Sequence, residues 1–243
     1  MRVPRIYQEC ALSTGTCIEL SESATKHLIQ VLRLEVGREI ILFNGLGGEF
    51  RAKLSQVNKR SASADILEKI DVNRESEVDI HLAQCVSKGD RFEFAIQKSV
   101  ELGVKEITPV FSSRSQIKLN NDRKDKKFNH WLQISLSACE QSGRTGIVKI
   151  NNSISLAEFL SSQKTSDSQK IIFHPEGNKK LSNLPLSRQY TLLIGPEGGF
   201  EDQELELAKS KGFNPVQLGT QILRTETAPI AAISAIYTLN KIY

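Results

Sequence analysis

Residues 190–208 read YTLLIGPEGGFEDQELELA. The apolar run Tyr190-Thr191-Leu192-Leu193-Ile194 predicts a strand, and the stretch EDQELELA predicts a helix. Between them stands Gly195-Pro196-Glu197-Gly198-Gly199, three glycines around a proline and a carboxylate. An ordinary strand-to-helix connector needs no such composition. Glycine reaches φ > 0 without steric cost and lets another group lie against bare backbone. The turn is therefore read as a binding surface. Glu197 is a candidate for binding or proton chemistry, or equally for satisfying the following helix N-terminus.

Working outward, the strands on either side in the sequence end in unusual loops too. KIIF (170–173) runs into His174-Pro175-Glu176-Gly177, and NPVQL (214–218) runs into Gly219-Thr220-Gln221-Ile222-Leu223-Arg224-Thr225-Glu226-Thr227-Ala228-Pro229. From residue 78 onward strand patterns alternate with helical ones: VDIHLAQCV, RFEFAIQKSVELGV, EITPVF, KFNHWLQISLSACEQS, GIVKI, SLAEFL and so on to the closing helix TAPIAAISAIYTLNKI. That alternation predicts an α/β fold with a mostly parallel sheet covered on both faces. Ligands of such sheets collect beyond the carboxyl ends of the strands, where these three loops would lie. In the last loop, Thr225 or Thr227 is positioned to cap the closing helix, with Pro229 in its first turn. Capping does not account for Arg224 and Glu226. Arg224 is either half of a surface ion pair or a rigid fork of donors for a planar, oxygen-bearing substrate. His174 ends a strand, and its loop is expected to matter chiefly through its backbone.

The first 70 or so residues read differently. REIILF and EFRAKL flank Asn44-Gly45-Leu46-Gly47-Gly48, a glycine-rich hairpin signal. RVPRIYQ, TCIELS and SASADILEKI are further strand candidates, and ATKHLIQVLRL (24–34) is a helix candidate. The polar stretch DVNRESE (71–77) marks a boundary, giving units 1–72 and 73–243.

Composition narrows the class. Of 243 residues, 39% are hydrophobic and 25% charged, which suits a globular protein with a real core. Apolar runs of about five residues are far short of the roughly 20 needed to cross a bilayer, and MRVPRIYQEC does not resemble a signal peptide; a cytoplasmic location is expected. Cys10, Cys17, Cys85 and Cys139 form no CxxC, and no histidine lies at ligand spacing, so neither zinc nor a disulfide framework is expected. The dinucleotide, P-loop, serine-hydrolase and zinc-protease signatures are missing. Net charge is +4, mildly basic. The segment from Ser112 to Lys127 concentrates six basic residues against two acidic ones, and reads as a solvated loop or a phosphate-contacting patch.

With these residues laid out, GPEGGF (195–200) followed by LGTQILRTETAPIAAISA (218–235) resembles the RsmE family of SPOUT-class RNA methyltransferases. KGDRFEFAIQKSVELGVKEITPVFSSRS (88–115), HWLQISLSACEQSGR (130–144) and HLIQVLRLEVGREIILFNGLGGEF (27–50) are similar to other parts of the same family, so the resemblance covers nearly the whole chain. It departs at Ser113, where members commonly carry an acidic residue, and at Gln221, where an arginine is frequent. The resemblance implies a PUA-like β-barrel at the N-terminus that binds RNA, and a SPOUT domain whose last strands and helix form a trefoil knot. It implies a homodimer, S-adenosylmethionine as cofactor, and methylation of uridine N3 in 16S rRNA of the small ribosomal subunit.

On that reading Phe173, His174, Gly195, Glu197, Gly198, Gly199, Leu218 and Gly219 hold the cofactor largely through backbone. Ile222 and Leu223 add apolar cover, and Thr225, Thr227 and Ala228 complete the set. Arg224 is the first choice to stabilise a deprotonated uracil, and Glu197 or Glu226 to accept its proton. Candidate phosphate contacts are Arg2, Arg5, Arg33, Arg114, Lys118 and Arg144. The rival readings are a SPOUT enzyme acting on ribose 2′-OH or another base, a non-catalytic RNA-binding assembly factor, and a small-molecule α/β enzyme.

Overall fold

The computed structural model describes residues 3–115, 121–163 and 167–243. The chain forms two compact units, one of residues 1–75 with 139–147 and one of residues 76–138 with 148–243.

The first unit is built on a five-stranded sheet. Its strands are β1 (Arg5–Tyr7), β2 (Cys17–Glu19), β3 (Glu39–Phe43), β4 (Glu49–Val57) and β5 (Ala62–Ile70), in the order β1-β3-β4-β5-β2. β3, β4 and β5 form an antiparallel meander, with β1 parallel to β3 at one edge. Alternation in β4 sends Phe50, Ala52 and Leu54 inward, and they pack with Ile40, Leu42, Ala64 and Ile66. The expected hairpin is present. At its tip Gly45 has φ 80°, and a Cβ there would lie 2.7 Å from Ile147 Cγ1. The helix expected over 24–34 is shorter and begins earlier: α1 (Glu22–Thr25) widens into a π-turn at Lys26–Val31. Leu32 and Leu34 N–H donate back to His27 and Leu28 carbonyls, and Arg33 in the left-handed region (φ 53°) ends the helix. The wide turn returns Leu34 to the core that already holds Leu28.

The segment 139–147 closes this unit through buried charge. Arg5 pairs with Glu49 and donates to the carbonyls of Cys139, Glu140 and Arg144. Arg74 also pairs with Glu49 and donates to Gly143 O. The Arg144 guanidinium meets Glu75, whose Oε1 also accepts the N–H groups of Thr145 and Gly146.

The second unit is an α/β fold. Its strands are β6 (Asp79–Cys85), β7 (Glu106–Phe111), β8 (Lys149–Ile150), β9 (Ile154–Ser155), β10 (Gln169–Phe173), β11 (Lys179–Lys180), β12 (Gln189–Ile194) and β13 (Asn214–Gln217). The order is β11-β13-β10-β12-β6-β7-β8, with β9 also beside β7, and every pairing is parallel. Its helices are α2 (Arg91–Glu101), α3 (Asn121–Ser142, of which residues 139–142 belong to the first unit), α4 (Leu156–Ser162), α5 (Asp202–Ser210) and α6 (Thr227–Leu239). The central strands are buried along nearly their whole length, as both-face coverage requires. α2 buries Phe92, Ala95, Ile96, Ser99 and Val100. β9 and β11, two residues each, carried no sequence signal.

Candidate active site

β13, β10 and β12 are neighbours, and their register sets Phe173 opposite both Ile194 and Val216. The three unusual loops therefore leave the sheet at one level, side by side at its carboxyl edge. Between the first and the last lies an open cleft of about 150 Å³, lined by Phe173, His174, Pro175, Gln217, Leu218, Gly219, Thr220, Gln221, Ile222, Leu223 and Ala228. Seven of the residues expected at the cofactor line it: Phe173, His174, Leu218, Gly219, Ile222, Leu223 and Ala228. Pro175, Gln217, Thr220 and Gln221 belong to its wall as well. Ile222 is 84% exposed, at the mouth.

Local contacts explain the shape of the cleft. His174 N–H bonds Val216 O, and the loop turns back with Gly177 N–H on His174 O. His174 Nδ1 accepts the Glu176 N–H, so this histidine shapes its own turn. Gly177 lies so close to β13 that a Cβ would come within 2.5 Å of the Val216 carbonyl carbon and 2.7 Å of Gln217 N. Gly219 takes φ 80°, bending the last loop away from β13.

The GPEGG turn is held from three sides. Arg91, at the start of α2, pairs with Glu197 at 2.8 Å. Arg114 donates to Gly198 O at 2.9 Å. Thr225 Oγ1 donates to Gly195 O at 2.7 Å and accepts from Gln84 Nε2 at 3.0 Å. Gly199, at φ 69°, needs its glycine for the turn, with its N–H on Pro196 O. Ser113 N–H is held by Glu204, the same carboxylate that accepts the Glu201 N–H at the start of α5. Glu197 thus serves an arginine rather than the helix N-terminus.

Neither threonine caps the closing helix. Its N-cap position is Glu226, which makes no side-chain cap bond, and Thr225 is spent on Gly195. Thr227 is exposed. The turn into α6 is closed instead by Thr227 and Ala228 N–H groups on Arg224 O. Among the described residues, the exposed Arg224 guanidinium has no hydrogen-bond or ion-pair partner, and Glu226 Oε2 is buried without one. Neither Arg224 nor Glu226 is among the residues lining the cleft, though both lie close in sequence to its wall residues Leu223 and Ala228.

The sequence reading missed Gln84, Arg91 and Glu204. Arg91 and Glu204 sit in motifs whose charges read as helix surface, and Gln84 lies within an apolar strand.

Two of the expected phosphate contacts are corrected. The side chains of Arg5 and Arg144 are only 8% and 5% exposed and are taken up by the carboxylates and carbonyls described above, so neither presents a guanidinium to an outside partner. Arg33 is exposed. Arg114 is exposed on one side while bonded to Gly198 on the other. Arg2 and Lys118 lie outside the described residues.

A family model described as an RNA methyltransferase domain matches residues 74–237, and one described as an RNA methyltransferase PUA domain matches residues 20–67. The ribosomal RNA small subunit methyltransferase E of Buchnera aphidicola subsp. Schizaphis graminum is 39% identical over 237 residues, spanning 97% of this chain and 96% of the relative. The chain belongs to the ribosomal RNA small subunit methyltransferase E family. The Bacillus subtilis member is 33% identical and spans 86% of this chain and 85% of its own. Among solved structures, the Neisseria gonorrhoeae member bound to S-adenosyl methionine matches with a TM-score of 0.91 at 39% identity, over 98% of both chains. A Legionella pneumophila protein in complex with the cofactor SAM matches with a TM-score of 0.94 at 41% identity, again over 98% of both.

Proposed function

We propose that this chain methylates N3 of a uridine in 16S rRNA, using S-adenosylmethionine. It is a methyltransferase of ribosomal RNA, and the observation that carries this reading is the cleft between the loops that follow β10 and β13, with an uncommitted Arg224 next in sequence to its wall residue Leu223. The residues fit the cofactor. Phe173, Leu218, Leu223 and Ala228 supply apolar wall, and backbone of 217–221 supplies hydrogen-bonding edges suited to adenine and ribose. When bound, S-adenosylmethionine supplies an electrophilic methyl group.

The protein must solve the problem of the nucleophile. Uridine N3 carries a proton and attacks poorly until it leaves. Glu226 is the preferred acceptor, because its buried Oε2 lacks a partner, whereas Glu197 already faces Arg91. As the proton departs, charge spreads to the uracil carbonyl oxygens. Arg224 donors aimed there stabilise that charge, a contribution of the kind worth about 3–4 kcal/mol for a well-placed donor. In-line placement of N3 supplies much of the remaining rate.

The same reading includes a PUA-like RNA-binding domain over 1–72, a SPOUT domain over 73–243, a trefoil knot in its last third and a cytoplasmic location. It also includes a homodimer, supported by α6: the helix is mostly apolar, yet Ile230, Ala231 and Ala235 are only half-buried. Gly195, Glu197, Gly198, Gly199, Thr225 and Thr227 act on the cofactor through loop shape, and Arg33 and Arg114, with Arg2 and Lys118, contact RNA phosphate. The test is transfer of labelled methyl to 30S subunits and to naked 16S rRNA from cells lacking the endogenous enzyme, followed by nucleoside digestion. Label in 3-methyluridine is expected, and label in a 2′-O-methylated nucleoside instead discards the N3 assignment.

A further inference from the structure

We propose that Gln84 is a positioning residue for methyl transfer, holding the GPEGG turn and the Arg224 loop in mutual register through Thr225. The proposal rests on the methyltransferase reading above.

Gln84 is the penultimate residue of β6 and pairs in register with Ile194, the residue before the GPEGG turn. It is 1% exposed. Its amide nitrogen faces the carbonyl oxygens of Cys85 and Thr225, both at 3.4 Å, as well as Thr225 Oγ1 at 3.0 Å. Carbonyl oxygens only accept, so the NH2 end of the amide must point this way, and the orientation is not interchangeable. Thr225 Oγ1 therefore accepts from Gln84, and its single proton is free for Gly195 O at 2.7 Å. The hydrogen bonds run in one direction, from β6 through the last loop to the end of β12.

Each end of this relay carries a functional group. Thr225 stands between Arg224 and Glu226, and the Arg224 carbonyl is already locked by two N–H groups of α6. Pinning Thr225 thus sets where Arg224 and Glu226 emerge. At the other end, orienting the Gly195 carbonyl sets the plane of the peptide that opens the turn. Packing alone does not call for an amide here. A buried amide is costly unless hydrogen-bonded, and Gln84 Oε1 is buried with no partner among the described residues. Methionine would fill similar space without that cost. The amide is retained where its donors register two loops.

The test is a double-mutant cycle of Gln84→Met and Thr225→Val, with Thr225→Ser as the conservative variant. Readouts are kcat for methyl transfer to 30S subunits, cofactor Kd by calorimetry, and Tm. Each single variant is expected to lower kcat roughly 10- to 100-fold and raise cofactor Kd about fivefold, and the double variant to match a single one. Thr225→Ser is expected to stay within about threefold of wild type. Should Thr225→Val fail to fold, Thr225→Ala closes the same cycle. Single variants within about twofold of wild type in both kcat and Kd, or effects that multiply in the double variant, overturn the proposal. If wild type binds cofactor but methylates neither acceptor, the substrate assignment fails and the cycle is read on Kd. Absence of cofactor binding by wild type overturns both.

Discussion

Arg224 and Glu226 are separated by one residue and differ in surroundings: the guanidinium is exposed and the carboxylate oxygen is sunk without a partner. Arg224→Ala is expected to lower kcat about 10²- to 10³-fold, with cofactor Kd changed less than about threefold in calorimetry. Near-normal turnover would remove Arg224 from the mechanism. Gly177 makes a different kind of prediction. A methyl group there meets the backbone of Val216 and Gln217, which is not free to yield as a long side chain is. Gly177→Ala should displace the end of β13 and weaken cofactor binding tenfold or more in calorimetry, and an unchanged Kd would show that the close approach of Gly177 to β13 does not shape the cleft. Legibility at this scale followed sequence distance. The GPEGG turn and Arg224 stood out because unusual residues cluster locally. Gln84 did not, because its partner is 141 positions away and an apolar strand conceals one amide. Arg5 and Arg144 were misread for the same reason, since each finds its carboxylate only in the folded chain.

Among the elements, long periodic segments were readable and irregular ones were not. α2, β10 and β12 lie where their patterns place them. The π-turn after α1 is not written in periodicity, because widening one turn depends on where Leu28 and Leu34 find the core. Neither was the use of 139–147 as a closing segment. Glu75 lets that closure be measured. Burial alone would raise its pKa, but Arg144 and the N–H groups of Gly146 and Thr145 outweigh burial and hold the carboxyl below its ordinary value. A carboxylate depressed in the folded state adds stability above its unfolded value, and that stability is lost as pH falls through the folded one. The contribution is thus complete above about pH 4.3 and fades below it. Glu75→Gln should lower Tm at pH 7, and the gap to wild type should narrow as pH falls below 4. A gap that stays constant with pH would show that the ion pairing contributes nothing.

For the whole molecule, net charge decides less than which charges reach solvent. With Arg5 and Arg144 internal, Arg33 becomes a cleaner probe of RNA affinity. Arg33→Ala should reduce the slope of log K against log salt by about 1 without altering cofactor Kd, and an unchanged slope would take Arg33 off the RNA surface. α6 carries the prediction on assembly: Ala235→Glu should convert a species of twice the chain mass into one of single mass in light scattering. No change in mass would exclude that face from the proposed dimer. The change of pattern at 71–77 predicts two continuous units, whereas in the structure one unit is discontinuous, and nine residues with no special composition supply its closing clamp. This discontinuity has a consequence during synthesis. The strands of the N-terminal unit leave the ribosome first, but the carbonyls that Arg5 and Arg74 need belong to residues 139–144, which emerge some time later. Until then Arg5, Arg74 and Glu75 wait without their full set of partners. The first part of the chain to be made is therefore among the last to be finished, and a nascent chain halted before residue 139 should leave this unit sensitive to protease.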